Sequence, residues 1–418
     1  MKTNRRHFLA SAGALMAGAW SSAAFAQNAI DEVLGAQRRG TWSTQFDARG
    51  AASSAAVATN MPIFSPQTLT FVEMAIQQYQ QIVASGGWPE VPDDKKLQIG
   101  VSDPAVVVLR KRLMVSGDLP EQAGISPAFD SYVDAAARRF QLRHGLPGDG
   151  VLGKYSFLAM NVSADVRLGQ LQTNLVRLRS MSGDLGPRYV VVNIPAAQIE
   201  GVENGRVVSR HTAIVGKIDR QTPLLNSKIN EIIVNPYWNA PVSIVRRDII
   251  PIMRKNPHYL TDNNIHLLGP DGKEVDPTTI DWSTDEATKY RFRQDPGKIN
   301  AMASVKINFP SPDGVYMHDT PEQSLFSQLM RFDSSGCVRV QNVRDLVVWL
   351  MRGTSGWDRQ RLEDTIKSGV NTPVELTDPT PVHFVYITAW STGPGVVQFR
   401  DDIYGRDGAQ ELKMSSAT

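Results

Sequence analysis

The sequence predicts an α+β protein: a β-rich core for the C-terminal half, an inserted turn-rich subdomain within it, and a small helical domain ahead of it. Three observations carry that expectation. Between about residues 186 and 405, short β-branched runs recur with few helices between them. Residues 97–180 show apolar spacing of helical period. Residues 242–300 interrupt the run of strands with proline- and turn-rich text. A chain of 418 residues is also too long for one ordinary core.

The chain opens on an expected export signal at 1–26. Lys2, Arg5 and Arg6 form a basic region, Phe8 to Ala19 is apolar and small, and Ala24-Phe25-Ala26 predicts cleavage before Gln27. Asn4-Arg5-Arg6-His7-Phe8-Leu9 resembles a twin-arginine signal, so export to the periplasm by that route is expected. The apolar run is short for a bilayer, and no later stretch reads as a membrane helix, so no transmembrane segment is expected in the mature chain. Residues 27–62, rich in Ala, Ser, Gly and Arg, read as a flexible linker. In 63–96, a helical scaffold segment, Ser65-Pro66 reads as an N-cap with proline at the first helical position. Leu69, Val72, Ile76, Tyr79 and Val83 follow at helical spacing, and Gly86-Gly87 stops the helix.

In 97–180 one helix is expected from Asp103 to Leu113. Another is expected from Asp130 to His144, with Val133, Ala137 and Phe140 on one face. Tyr189 to Ile194 reads as a buried strand before Pro195, Asn204-Gly205 as a hairpin turn, and Val207 to Val215 as the returning strand. Further strands are expected near Ile232 to Val234, at Val305 to Phe309, Val315 to His318, Val338 to Val340, Phe384 to Trp390 and Val396 to Phe399. Helices are expected at about 242–256, 321–330 and 342–352. The core thus spans 186–405, with 406–418 as a tail.

Composition narrows function. Basic and acidic residues nearly balance, 44 against 42. With three of the basic residues in the export segment, the remainder is close to neutral, which argues against nucleic acid as a partner. A single cysteine rules out an intramolecular disulfide, and no Cys/His cluster has metal-ligand spacing, so no metal site is expected.

That cysteine, Cys337, stands nineteen positions after His318. A thiol needs a base to become a nucleophile near neutral pH, and imidazole is the usual one. Gly336 suits a turn that a Cβ would block, and the N–H groups around it are candidate donors to an oxyanion. Arg339 adds a fixed positive charge two residues on, for thiolate or for a substrate carboxylate. Tyr316 shares the strand face of His318, and Trp238 is a candidate wall of the site. Each of these side chains also fits a purely structural role.

The stretch Tyr316-Met317-His318-Asp319-Thr320, followed by Ser334-Ser335-Gly336-Cys337-Val338-Arg339, resembles the L,D-transpeptidase catalytic domain, also called YkuD. Ser335 stands where shorter members carry histidine, as in the large YcbB-like branch, so that histidine's role is not transferred. Gly216-Lys217-Ile218-Asp219-Arg220-Gln221-Thr222-Pro223 and Asn235-Pro236-Tyr237-Trp238-Asn239-Ala240-Pro241 are similar to stretches of the same enzymes. The resemblance implies Cys337 as nucleophile, His318 as general base and acid, and a backbone carbonyl beside it, that of Asp319 or its neighbour, as the imidazole's orienting group. It implies Arg339, Tyr316, Ser335 and Trp238 as substrate-binding candidates, and a cap over the cleft at 242–300.

It implies as substrates the tetrapeptide donor stem and acceptor stem of peptidoglycan, joined through a thioester into a 3→3 cross-link, without a cofactor. Water as acceptor makes the enzyme an L,D-carboxypeptidase; a lipoprotein lysine or a free D-amino acid makes it an attaching acyltransferase. A non-catalytic wall-binding protein is the rival of another class. Phe140-Gln141, Gly145-Leu146 and Asp149-Gly150 resemble the peptidoglycan-binding domain 1 family, which implies glycan strands as a partner for 97–180. A three-helix packing module without a ligand fits the same residues.

Overall fold

The computed structural model describes residues 59–181, 183 and 185–408. The expected export segment, nearly all of the linker and most of the tail lie outside the described residues. The described chain divides into two compact units, one of residues 89–142 and 148–157, the other of 59–88, 143–147 and 158–408.

The smaller unit is helical. Asp103 caps the helix Pro104–Val115 by accepting the Ala105 N–H at 2.8 Å, and Val106, Leu109 and Leu113 are its buried face. Asp130 accepts from the N–H groups of Tyr132 and Val133 at the start of Ser131–Arg143. That helix buries Val133, Ala137 and Phe140. Gln141 pins the loop that follows. Its Nε2 donates to Asp149 Oδ1 at 2.9 Å and to the Val151 carbonyl at 3.0 Å, while its Oε1 accepts the Gly150 N–H at 2.9 Å. The Gln and Asp-Gly positions of the motif are thus satisfied within the fold.

The expected helical domain of 97–180 ends earlier than its sequence suggests. Ala164–Ser180 belongs to the other unit, where Leu171 and Leu178 share a core with Val72, Ile76 and Tyr79 of the helix Pro66–Ala84. Its apolar period is masked by buried polar side chains that are hydrogen-bonded inward. Asn174 Nδ2 donates to Thr388 Oγ1 at 2.7 Å, and Gln170 Nε2 to the Arg400 carbonyl at 2.9 Å. His144, the last residue of the expected second helix, is buried and stacks on Phe399 at 5.6 Å.

The larger unit is built on strands β1 Arg188–Asn193, β2 Gln198–Glu203, β3 Arg206–Gly216, β4 Leu225–Val234, β5 Trp238–Asn239, β6 Ile265–Leu268, β7 Arg291–Gln294, β8 Val305–Asn308, β9 Met317–His318, β10 Phe332–Ser334, β11 Val338–Val340, β12 Thr372–Val385, β13 Ala389–Ser391 and β14 Val397–Phe399. Nine of them form a sheet in the order β10-β3-β11-β9-β8-β4-β12-β1-β2. An additional β2–β3 pairing closes eight of these into a ring. One side of the ring packs a core of Val190, Val192, Ile232, Val305, Ile307, Met317, Val338 and Val340 against the helix Val343–Leu350. Tyr189 and Val191 face a second core with the helices Pro66–Ala84 and Ala164–Ser180. Burial on both faces explains why β1 reads as a continuous apolar run rather than an alternation.

Two expected elements differ. The strand expected over Phe384 to Trp390 is two strands, because the chain leaves the ring after Val385. There the Ile387 N–H donates to Asn193 Oδ1 and the Thr388 N–H to Asn174 Oδ1, side chains taking the place of a ladder. The helix expected at 321–330 is a 3-10 turn over Gln323–Ser327 that buries only Phe326, too little apolar surface to hold a longer helix. A helix at Arg359–Ser368, capped by Asp358, was not expected.

The insertion is a subdomain with its own sheet, β5-β7-β6, and its own core of Val245, Ile249, Ile250, Leu260, Leu267 and Phe292. It begins at Trp238, slightly before the expected 242, because Trp238–Asn239 pairs with Gln294–Arg293 of β7. Among the described residues no helix is long and apolar enough to cross a membrane.

Candidate active site

Strands β8, β9 and β11 lie side by side, and their alternation sorts the side chains. Val305, Ile307, Met317, Val338 and Val340 face the core. Lys306, Tyr316, His318, Cys337 and Arg339 therefore share the opposite face. Register places Lys306 opposite His318, and His318 opposite Arg339, in one row across three strands. Cys337 stands two positions before Arg339, just ahead of β11, the strand beside His318.

His318 is oriented by its own chain. Its Nδ1 lies 2.6 Å from the Asp319 carbonyl oxygen. A carbonyl only accepts, so Nδ1 carries the proton, and in neutral imidazole Nε2 holds the lone pair. The Asp319 carboxylate is occupied elsewhere, accepting from the Ser304 N–H, from Ser304 Oγ at 2.5 Å and from the Thr320 N–H at 2.8 Å. The orienting group is thus a backbone carbonyl. Burial pushes the imidazole down to about 3; Arg339 and Lys306 push the same way, and the Asp319 carbonyl opposes them. His318 is a neutral base at rest.

Burial raises the Cys337 thiol above its ordinary value. Four groups oppose that rise: the Tyr316 N–H and hydroxyl, both hydrogen-bonded toward sulfur, and the charges of Lys306 and Arg339. The site rests as thiol and imidazole, with donors and cations arranged for negative charge on sulfur. The Tyr316 hydroxyl, held neutral by burial, also accepts a hydrogen bond from the Trp238 side chain of the inserted subdomain.

The turn carrying Cys337 is held by hydrogen bonds from the loop between β3 and β4. Gly336 has φ of +112°, a conformation that strains any residue with a Cβ. Its N–H, a candidate oxyanion donor in sequence, instead donates to Ser334 Oγ at 3.2 Å, because the tight turn folds that hydroxyl back under it. Its carbonyl accepts from Thr222 Oγ1 at 2.9 Å. Thr222 Oγ1 in turn accepts the Gly216 N–H at 2.9 Å, and Tyr404 bridges the Gly216 carbonyl and the Thr222 N–H.

Ser335 is exposed, and its Oγ accepts from Arg220 Nη1 at 2.9 Å. Arg220 also forms a two-pronged pair with Asp248 of the inserted subdomain, at 2.6 and 2.9 Å. Arg339, expected for a substrate carboxylate, is paired with Glu322 at 2.5 Å.

Cys337, His318, Tyr316, Gly336, Arg339, Trp238, Ser335 and Asp319 thus gather in one place. Sequence reasoning missed Lys306, Arg220, Thr222 and Tyr404. The alternation Val305-Lys306-Ile307-Asn308 was a usable signal that Lys306 faces away from the core; which strand it would face was not. Among the described residues no cluster of three or more His, Cys, Asp or Glu side chains is placed to hold a metal ion.

The ring of strands thus sets a neutral thiol and a carbonyl-oriented imidazole on one face. Residues 187–375 match the family model of the L,D-transpeptidase catalytic domain, YkuD. A Haemophilus influenzae protein, named as a candidate L,D-transpeptidase, is 37% identical over 219 residues, covering 52% of this chain and 44% of the relative. The match therefore spans less than half of that curated relative. Solved L,D-transpeptidases are also similar. That of Xylanimonas cellulosilytica is 18% identical, with 70% of this chain and 99% of that chain covered and a TM-score of 0.23. That of Stackebrandtia nassauensis is 14% identical, with 70% and 96% covered and a TM-score of 0.25.

Proposed function

We propose that this protein is an exported L,D-transpeptidase of the YcbB-like branch that forms 3→3 cross-links between peptidoglycan stems. The observation that carries the reading is the His318 Nδ1 contact with the Asp319 carbonyl, which leaves Nε2 free as a base on the strand beside Cys337. In the first half-reaction Nε2 takes the proton from Sγ. The thiolate adds to the carbonyl of the third residue of a tetrapeptide stem. The Tyr316 hydroxyl and N–H, both hydrogen-bonded to Cys337, are the donors for the charge that develops. The carbon–nitrogen bond breaks, D-alanine leaves with the proton from His318, and a thioester remains on Cys337. In the second, His318 takes a proton from the side-chain amine of an acceptor stem, the amine adds to the thioester, and the thiol is released. The inserted subdomain, tied to the site through Trp238–Tyr316 and Asp248–Arg220, is the cap that excludes water and favours an amine over hydrolysis.

The reading places the protein in the periplasm by the twin-arginine route. Glycan strands are its partner through residues 97–180, on the resemblance of Phe140-Gln141 and Asp149-Gly150 to the peptidoglycan-binding domain 1 family. If water has access, the same thioester makes an L,D-carboxypeptidase. The test incubates the mature protein with disaccharide-tetrapeptides and follows mass. A cross-linked dimer is expected. Tripeptide alone would mean carboxypeptidase, and no change a wall-binding protein. Cys337→Ala should abolish product and any covalent carbapenem adduct; an adduct surviving that substitution would remove Cys337 from its role.

A further inference from the structure

Three cations surround the nucleophile, and two of them are occupied. Arg339 is paired with Glu322, and Arg220 with Asp248. Lys306 is the exception. Among the described residues it forms no ion pair. Its ammonium lies 4.4 Å from the centre of the Tyr316 ring, and its register partner is His318. Glu231, the acid that attracts it, is engaged by Asn308 Nδ2 at 2.8 Å and reaches Lys306 only through space. A half-buried ammonium without a counter-ion is costly to keep. The Tyr316 face offsets part of that cost and holds the charge where it acts on Cys337.

Resting on the transpeptidase reading above, we propose that Lys306 is a specificity-determining residue that takes a carboxylate of the donor peptide beside Cys337. A stem ending in diaminopimelate and D-alanine offers two such groups: the terminal carboxylate that leaves, and the one on the third residue's side chain. Pairing with either neutralises one of the two cations that keep imidazolium unfavourable at His318. Donor binding is thereby coupled to the base's ability to accept the thiol proton. An uncharged competitor in the groove would leave the base weak.

The experiment measures D-alanine (or D-alaninamide) release from three donors: the tetrapeptide, its terminal amide, and its analogue amidated on the side-chain carboxylate of the third residue. Each is tested with wild type, Lys306→Met and Lys306→Arg. On the natural donor Lys306→Met should lose about ten-fold or more in kcat/KM, chiefly through KM, and Lys306→Arg should recover part of it. On the one analogue lacking the recognised carboxylate, wild type should fall to the level of Lys306→Met or below it, because its ammonium then still opposes imidazolium at His318. Wild-type discrimination among the three donors reads the same property without a variant, so a misfolded variant does not remove the test. Equal losses from Lys306→Met on all three donors, or wild-type indifference to both amides, would overturn the assignment of Lys306 alone. A wild type that releases nothing from the tetrapeptide would overturn the reading of the whole site and this proposal with it.

Discussion

His318 divides its labour between two nitrogens, and the division makes a prediction about its neighbour. Because the Asp319 carbonyl rather than its carboxylate fixes the imidazole, Asp319→Asn should keep the orientation. Ser304 donates to Oδ2 and Thr320 to Oδ1, so the amide oxygen keeps only one of these partners and some stability is lost, but the carbonyl contact is untouched and kcat should stay within a few-fold of wild type. His318→Gln should lose about 10²- to 10⁴-fold, the usual worth of a positioned base. Steady-state kinetics on D-alanine release compares the two, and a loss at Asp319→Asn as deep as that at His318→Gln would mean the carboxylate is the orienter. The sequence supported this pair well, since a lone cysteine and an upstream histidine are chemically unusual wherever they fall. It could not reveal Lys306, whose place opposite His318 depends on how the chain between residues 309 and 316 sets the register of β8 on β9. Nor could it show that the Gly336 N–H is spent on Ser334, a consequence of the turn's curvature.

At the scale of elements, the turn that carries Cys337 is only as stiff as the loop between β3 and β4 beneath it. Thr222 is buried there and makes two hydrogen bonds, one to each side. Thr222→Val keeps the shape and removes both, leaving the Gly216 N–H and the Gly336 carbonyl unpaired in a dry place. A cost of about 1–3 kcal/mol for each stranded group is expected. The thermal midpoint should drop and kcat fall while KM changes little, because the nucleophile wanders but the groove remains. An unchanged midpoint would show that water replaces the hydroxyl. Arg220→Ala should act on kcat and KM together, since it frees both Ser335 and the inserted subdomain at Asp248. Apart from the local Gly216–Thr222 bond, these ties were illegible in sequence because each joins residues more than a hundred positions apart or crosses between subdomains. The strands themselves were legible where burial follows a simple rule, as in β1 and β11. Legibility failed where polar side chains do the packing. Ala164–Ser180 hides its inward face behind Arg167, Gln170 and Asn174, and the break between β12 and β13 is made by asparagine side chains.

For the whole molecule, burial of histidine sets how the fold responds to acid. His211, His318 and His383 are all held below their ordinary value of 6.5, each chiefly by burial. A base whose folded pKa is depressed binds fewer protons in the folded than in the unfolded chain between the two values. Stability there rises with pH. Its contribution is complete above 6.5 and is lost as pH falls below it, at a slope approaching about 1.4 kcal/mol per pH unit for each histidine, and for His318 that loss continues to about 3. His266, raised by its hydrogen bond to Glu274, works the other way: its contribution is present below 6.5 and is lost as pH rises through its folded value. Glu200, Asp401 and Asp407, raised chiefly by burial, also oppose the histidines near the carboxylate range. The informative measurement is therefore a difference. Unfolding midpoints of wild type and His318→Gln, followed from about pH 7 to about pH 5, should diverge in slope, with the variant flatter because its glutamine has no proton to gain. Parallel curves would mean that His318 is solvated or charged in the folded protein. The neutral-imidazole starting state assigned to the reaction would then be lost along with the stability argument, since both rest on the same buried ring.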